Sequence, residues 1–378
     1  MIGCSIWRVS IGLVYGGISF VGCHAMMQSE VAQQQTFPFY AVAVAPAMVV
    51  SDAGLEYKEI PVSPPRSQWP DAWNGSNLPF FLSLRIERQL IENERVCVIG
   101  EKELQKTWWY EVELLEMMTG TPGSEKPCRG WVKAEAVRKV DSFATPSLVV
   151  ITPVETYGVG VADVWVLSPG ACYAIVQKSD QEYEIILHNG CKATVVKSAC
   201  SLLSECAQWD EARMRQEVVA RARVFLGAPY GWGCKRVYTP GTLSSTDCSG
   251  VNILSFRMVG MQLPENAHSQ WAHAKPIRGC DLKPGDLIFM RKNTSTTGRI
   301  AHVVLMTGEG KFIEASASGG DDGISEKIDT IRVGLELKTI HETECDDAAG
   351  AWHMFFATII GDVDGVACAR AAMQCVKY

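Results

Sequence analysis

Asp247-Cys248-Ser249-Gly250 is the stretch of this chain best equipped for chemistry. Thr246 or Ser245 just upstream can cap a helix, an apolar face follows at Val251, Leu254 and Met258, and Gly260 stands where a helix would stop. Cys248 then falls in the first helical turn. The unpaired N–H groups and the dipole there favour negative charge, so a thiol ionises more easily than a free cysteine. Gly250 lets the helix approach a neighbour closely. A buried, inert cysteine opening a core helix would carry the same pattern.

A thiol nucleophile needs a base, and the base needs an orienting partner. His302 is the strongest base candidate, because it interrupts the apolar strand Ile300-Ala-His302-Val-Val-Leu-Met306, where a histidine is costly unless hydrogen-bonded. His24 lies in a linker, His188 in a turn, His268 and His273 in a polar loop, and His341 and His353 lie late in the chain without a motif. Glu314 is the candidate third member, on Lys311-Phe-Ile-Glu314-Ala-Ser316. If Gly308-Glu309-Gly310 joins the two strands with Thr307 opposite Lys311, His302 faces Ser316. Glu314 is then one diagonal step away on the same face, ~7–8 Å between backbones. A one-residue slip would part them. Taken singly, His302 could be a satisfied core histidine and Glu314 an exposed strand carboxylate.

The elements that must hold these residues can be read in chain order. From Phe37 to about Val140 short β-branched and aromatic runs are broken by Pro, Gly and Asn: Ala41–Val50, Pro61–Pro65, Phe80–Leu84, Val96–Ile99, Trp108–Leu115 and Gly130–Val132. Trp109, Glu111 and Glu113 alternate with Tyr110, Val112 and Leu114, as in a half-buried strand. A second strand-rich unit runs over 141–206, with Leu148–Ile151, Ala162–Leu167, Cys172–Val176, Tyr183–Leu187 and Ala193–Val196, and with the hairpin signal Asn189-Gly190. Two small β-barrels in tandem are expected. From 207 the character changes. Met214, Val218, Ala222, Phe225 and Leu226 mark an amphipathic helix over Asp210–Phe225, with Arg213, Arg215, Arg221 and Arg223 read as its solvated face. After Gly319 strand-like pieces remain at Thr330–Leu335 and Met354–Ile360, without a motif.

The chain has 378 residues, 47% hydrophobic and 20% charged, with a net charge of −7. That suits a globular protein of more than one domain and, with no basic run, argues against a nucleic-acid partner. Arg8 followed by apolar Val9–Gly22 reads as a signal peptide over 1–22, too short to span a bilayer comfortably. Phe20-Val21-Gly22-Cys23 resembles a bacterial lipobox, which would anchor the protein to a membrane through lipidated Cys23. Residues 23–36 form a Gln-rich linker. The fourteen cysteines do not fall into CxxC pairs, which argues against structural zinc, and Cys191, Cys200 and Cys206 are candidates for pairing.

Together, Pro229-Tyr230-Gly-Trp232-Gly233, Asp247-Cys248-Ser249-Gly250, Phe256-Arg257, Gly260, Leu263-Pro264, Gln270, Leu282-Lys-Pro-Gly-Asp286-Leu-Ile-Phe289 and the histidine strand closely resemble the NlpC/P60 family of bacterial cysteine peptidases. The match covers roughly Glu211–Ser316. Trp108-Trp-Tyr-Glu-Val112, a turn and Gly130-Trp-Val132 resemble the ending of a bacterial SH3 (SH3b) barrel, with a long insertion over Glu113–Cys128. The resemblance implies an α+β architecture: a papain-like catalytic domain over 207–378, preceded by SH3b-like barrels over 37–140 and 141–206. It implies Cys248 as nucleophile and His302 as base. The orienting position, often histidine in the family, would be Glu314 here. Asp247 and Ser249 map to positions that help hold the peptide, Tyr230 to a tyrosine that can aid the oxyanion site, and Trp232 of the same motif counts with them as substrate-binding. Departures are a longer Trp232–Cys248 segment and Glu265 in place of a commonly basic residue.

Two such barrels before such a domain resemble the γ-D-glutamyl-L-diamino acid endopeptidases. That implies an exported, monomeric enzyme of the bacterial envelope, cutting the γ-D-glutamyl–diaminopimelate bond of stem peptides with free N-terminal L-Ala, without metal or organic cofactor. Rival readings are a remodelling hydrolase of intact peptidoglycan and a non-catalytic wall-binding protein, against which the intact Cys–His pair argues. A thiol acyltransferase acting on lipid is disfavoured because 212–314 runs in the peptidase order.

Overall fold

The computed structural model describes residues 36–44, 47–51, 53, 86–158, 164–188, 190–226, 228, 230–236, 245–292, 295, 298–315, 324–328, 345–346 and 352–361. The expected signal peptide, Cys23, the linker and the runs Pro61–Pro65, Phe80–Leu84 and Thr330–Leu335 lie outside them. Among the described residues no helix is long and apolar enough to cross a membrane.

The first strand-rich region forms one antiparallel sheet. Its strands are β1 (Phe39–Ala43), β2 (Ala47–Val50), β3 (Ile86–Leu90), β4 (Arg95–Leu104), β5 (Thr107–Thr119), β6 (Lys126–Lys133) and β7 (Val137–Lys139), in spatial order β3-β2-β6-β5-β4-β1-β7. The run expected as Ala41–Val50 is two strands. Val112 and Leu114 of β5 enter the main core, while Glu111 and Glu113 are half-exposed. Trp109 is buried too, on Met48, Val50 and Cys234, because a later part of the chain covers that face. The long Glu113–Cys128 insertion is an extension of β5 and β6 past an irregularity at Leu114–Met118, closed by a turn at 120–123.

The next region, 147–202, makes two further antiparallel sheets. β8 (Leu148–Val150) is flanked by β11 (Cys172–Tyr173) and β15 (Cys200–Leu202). The other contains β9 (Val154–Gly158), β10 (Val164–Leu167), β12 (Ile175–Lys178), β13 (Glu182–Ile186) and β14 (Lys192–Val196), in order β10-β9-β14-β13-β12. No strand of 37–140 pairs with one of 141–206 in these sheets. Of the candidates for pairing, Cys200 and Cys206 are free thiols, and Cys206 is buried.

From 203 the chain turns to helices. α1 (Leu203–Cys206) is a single turn, and α2 (Glu211–Arg223) begins where Asp210 accepts the Arg213 N–H at 2.8 Å. Arg215 does not belong to the solvated face expected for it. It is buried, 2.7 Å from buried Asp286, and it donates to Thr358 and the Ile360 carbonyl. Its neighbours Met214 and Val218 carry that side of α2 into the core, and the Pro284-Gly-Asp286 turn supplies a carboxylate to receive the charge. Arg213 instead stacks on Trp209 at the surface, and Arg221 pairs with Glu217 one turn earlier.

A two-stranded piece, β16 (Lys235–Arg236) with β17 (Ser245–Thr246), leads into α3 (Cys248–Arg257). Only one apolar face was expected of α3, yet every residue from Ser249 to Arg257 is buried. Helix α2 and a later strand cover it on two sides, and Leu254 meets Gly170 of the second region. Gly260, at φ +81, closes α3 in the left-handed conformation, and Met261 N–H returns to Phe256 O at 2.9 Å. The segment carrying His268 and His273, expected as a loop, is helix α4 (Ala267–His273), started by Asn266 accepting from Ser269 N–H at 2.9 Å. Seven residues are too few to print an apolar period on the sequence. The β5–β6 hairpin tip docks on it: Glu265 N–H donates to Met118 O at 2.8 Å and Gly120 N–H to Ser269 Oγ at 3.1 Å.

The last sheet is antiparallel. Its strands are β18 (Lys275–Pro276), β19 (Leu287–Lys292), β20 (His302–Gly308), β21 (Lys311–Ala315), β22 (Ile324–Ile328), β23 (Cys345–Asp346) and β24 (Trp352–Thr358). The order is β18-β24-β19-β20-β21-β22, with β23 on β24. The late strand-like piece at Met354–Ile360 is therefore interior, between β18 and β19, with Phe355 opposite Phe289.

A buried ion chain joins the first sheet to α3. Arg257, the last residue of α3, is bonded to Glu94 and to Glu116; Glu94 also receives Lys235, and Glu116 receives Arg95 at 2.6 Å. Burial alone would raise the Glu94 pKa, but Lys235 and Arg257 outweigh it and hold it at about 2.

Candidate active site

The nucleophile candidate is positioned by its own helix start. Asp247 caps α3, not Thr246 or Ser245: its Oδ1 accepts the Gly250 N–H at 2.6 Å. Asp is as good a cap as Ser or Thr and stands at the right offset from Gly250. Cys248 follows as the first helical residue and is half-buried. Gly250 has no room for a side chain, since a Cβ would stand 2.5 Å from the Cys234 carbonyl oxygen and 2.5 Å from Thr246 Oγ1. Gly250→Ala should therefore destabilise by about 1–3 kcal/mol, the usual cost of overpacking, and slow Cys248 alkylation. Urea unfolding and timed iodoacetamide labelling read both.

His302 opens β20, and the β20–β21 pairing sets Leu305 opposite Ile313 and Met306 opposite Phe312. This is the register expected at the histidine end. At the turn it differs: Gly308, not Thr307, faces Lys311, and Thr307 is the extra residue of an irregularity. Glu309 and Gly310 both take positive φ there, so the tight turn absorbs one residue without moving the strands beyond it. The diagonal pair forms, with His302 Nε2 2.8 Å from Glu314 Oε1. The Cys248 side chain is hydrogen-bonded to the same imidazole. With Nε2 on Glu314, Nδ1 is left on the cysteine side.

The site is electrostatically asymmetric. Burial opposes charge on the His302 ring, but Cys248 and Glu314 outweigh it and raise its pKa to about 10. At neutral pH the ring is an imidazolium between two acceptors. Tyr230, paired in an isolated bridge with Thr246, is pushed well above the usual phenol range by burial and by its proximity to Cys248 and Asp247. Its hydroxyl is therefore neutral and able to donate.

The other expected contacts are distributed differently. Trp232 is 38% exposed, on the Gly231–Gly233 turn. Asp247 and Ser249 are buried. Asp247 Oδ2 accepts from Gly233 N–H at 2.9 Å, and Ser249 Oγ donates to Asp247 Oδ1 at 2.9 Å. Both are also bonded to Arg88 of β3, which reaches Glu265 as well. Their side chains thus serve the architecture of the α3 start. Sequence reasoning missed Arg88, which is 159 positions from Asp247 and sits in a strand with no motif. Gln270, also buried, bonds the Ser249 and Pro264 carbonyls at 3.3 and 3.1 Å.

A gamma-DL-glutamyl hydrolase of Bacillus subtilis (strain 168) is 36% identical over 110 residues, which are 29% of this chain and 25% of that protein. A probable endopeptidase p60 of Listeria grayi is 37% identical over 112 residues, 30% of this chain and 19% of its own. The chain thus spans a quarter or less of the length of these curated relatives. The crystal structure of an NlpC/P60 family protein from Bacillus cereus ATCC 10987 superposes with a TM-score of 0.61 at 18% identity, covering 76% of this chain and 93% of that one, a likeness of fold. The NlpC/P60 family model matches residues 227–329. That stretch takes in the cysteine helix and both strands of the histidine hairpin, so Cys248, His302 and Glu314 all lie inside what is shared, and the chain carries an NlpC/P60 family domain.

Proposed function

We propose that this chain is a cysteine endopeptidase that hydrolyses the γ-D-glutamyl–diaminopimelate bond of peptidoglycan stem peptides with a free N-terminal L-Ala. The observation that carries the reading is one imidazole, His302, bonded to Cys248 on one side and to Glu314 on the other. The names of the Bacillus subtilis and Listeria grayi relatives, a gamma-DL-glutamyl hydrolase and an endopeptidase, support the bond type.

Cys248 enters as thiolate with its proton on His302. The thiolate sulfur attacks the γ-carbonyl carbon of D-glutamate, and the C–O π pair moves onto oxygen. The backbone N–H at Cys248 and the Tyr230 hydroxyl face the resulting oxyanion; one well-placed donor of this kind lowers the barrier by about 3 kcal/mol. Collapse breaks the C–N bond, and the leaving amine takes the proton from His302. Water then attacks the thioester and gives one proton to His302, the thiolate leaves, and the freed γ-carboxylic acid loses its remaining proton to solvent. Glu314 holds the ring throughout and stabilises its positive form.

The first sheet supports the restriction to short peptides with a free N-terminus, because β3 lies against the α3 start and Gln89 N–H bonds the Gly233 carbonyl at 2.8 Å. We read the two strand-rich regions over 37–140 and 141–206 as SH3b-like units and the catalytic domain as 207–378. The protein is exported, to the periplasm or to a membrane anchor at Cys23.

Digestion of two substrates, read by mass spectrometry with Cys248→Ala as control, tests this. The free L-Ala–γ-D-Glu–diaminopimelate peptide should be cut at the γ-glutamyl bond, and intact peptidoglycan left alone. Cleavage of intact wall would make the protein a remodelling hydrolase. Cleavage of neither, with Cys248 inert to alkylation, would refute the enzyme reading.

A further inference from the structure

Side chains from two separate stretches of the catalytic domain converge on one arginine of the first sheet. Arg88 is 2% exposed. Its Nη1 donates to both oxygens of Asp247 at 3.1 Å, and its Nη2 donates to Ser249 Oγ at 3.2 Å and to Glu265 Oε1 at 2.8 Å. Asp247 is at the same time the cap of α3 and the acceptor for Gly233 N–H. One carboxylate thus ties Arg88 to the helical turn that carries Cys248 and to the turn that carries Trp232. The strand is fixed beside it, since Lys235 N–H donates to Gln89 Oε1 at 3.1 Å.

The charge balance makes the arginine hard to replace. Asp247 and Glu265 are two shielded carboxylates drawn to one guanidinium. Without that cation both carboxylates lose their shared counter-charge, and the Asp247 cap loses the two Nη1 bonds that orient it. Lysine would restore charge but not shape: a single ammonium cannot present the planar fork that meets Asp247 on one arm and Ser249 with Glu265 on the other.

We infer that Arg88 is a positioning residue of the active site. By holding Asp247, Ser249 and Glu265 it fixes the first turn of α3, and with it the Cys248 thiol, so the site is complete only with β3 in place. This rests on the reading of Cys248 as nucleophile.

The test uses the full chain with Arg88→Ala and Arg88→Lys. It reads kcat and KM on the stem peptide, thermal unfolding, and the rate of Cys248 alkylation by iodoacetamide, which needs no peptide. His302 and Tyr230, which lie beside the thiol, are retained in both variants. Arg88→Ala should lose about 100-fold in kcat, the scale of a misplaced reacting group, with KM little changed and alkylation slowed in parallel. Arg88→Lys should melt near the parent yet recover only a minor part of kcat. Methylguanidinium added to Arg88→Ala should restore part of both rates. A folded Arg88→Lys with parental kcat and alkylation would overturn the inference, as would a rise in KM alone. If Arg88→Ala does not fold, Arg88→Lys decides. If the parent cuts no stem peptide but alkylation still depends on Arg88, the proposed substrate fails and the inference stands.

Discussion

Replacing Cys248 with alanine should abolish hydrolysis of the stem peptide, lowering kcat by ~10⁴–10⁶ with the fold intact. The size follows from the role: without sulfur no thioester forms, and His302 alone cannot supply a nucleophile. The fold should survive because Cys248 is half-buried at a helix start whose cap and core contacts come from other residues. The thiol should also stand apart chemically. Burial pushes Cys128, Cys172 and Cys200 up to about 12 and Cys206 to about 11, so they are protonated at neutral pH. Cys248 alone among the described cysteines is bonded to a cationic imidazole. Brief iodoacetamide treatment near pH 6 should therefore label Cys248 first, and peptide mapping would show it; first labelling of exposed Cys280 would count against an ion pair.

The second large effect is at Glu314. Glu314→Gln keeps size and one acceptor oxygen but removes the charge that helps hold His302 protonated. Loss of the equivalent carboxylate charge in other triads costs up to ~10⁴ in kcat, and a drop of at least 10²-fold is expected here. The pH dependence carries the sign. His302 has a folded pKa of about 10, raised from 6.5, chiefly by Cys248 and then by Glu314 against the opposing effect of burial. The stability gained from the imidazolium is complete below the unfolded value and is lost as pH rises through about 10. Activity should fall on the same alkaline limb, because a neutral ring cannot protonate the leaving amine. In Glu314→Gln that limb should move to lower pH, and the loss of stability on raising pH should shrink. Rates of kcat/KM against pH and urea unfolding at two pH values measure both; an unmoved limb would remove Glu314 from the site.

What could be read from sequence was local or symmetric. The helix start at Cys248 is written in consecutive residues, and the His302–Glu314 diagonal follows from one turn and the two-residue period of strands. The register at the histidine end survived an error at the turn, because the irregularity at Thr307 took up the extra residue. Long-range partners left no trace. Arg215 looked like one of four surface arginines until Asp286, 71 positions away, came into contact with it. Arg88 carried no signal of its own, its partner Asp247 being 159 positions away. The Met354–Ile360 piece was visible as a strand, but its interior place depends on pairing with β19, which periodicity does not report. Asp247 and Ser249 stand out in the sequence as part of a motif, but their burial against Arg88 does not.

The ion chain from Arg95 through Glu116, Arg257 and Glu94 to Lys235 bears on how such a protein can be rebuilt. Arg95, Glu116 and Glu94 come from the first strand-rich region and Arg257 and Lys235 from the later part of the chain, so the buried charges of neither side balance alone. A foreign β-unit grafted before residue 207 would leave Arg257 and Lys235 buried and unmatched unless it brought carboxylates at the places of Glu94 and Glu116, and an arginine at that of Arg88. Shuffling modules by recombination would seldom meet all three conditions at once. The two parts are matched at this seam, and swapping one means redesigning the other's buried charges with it.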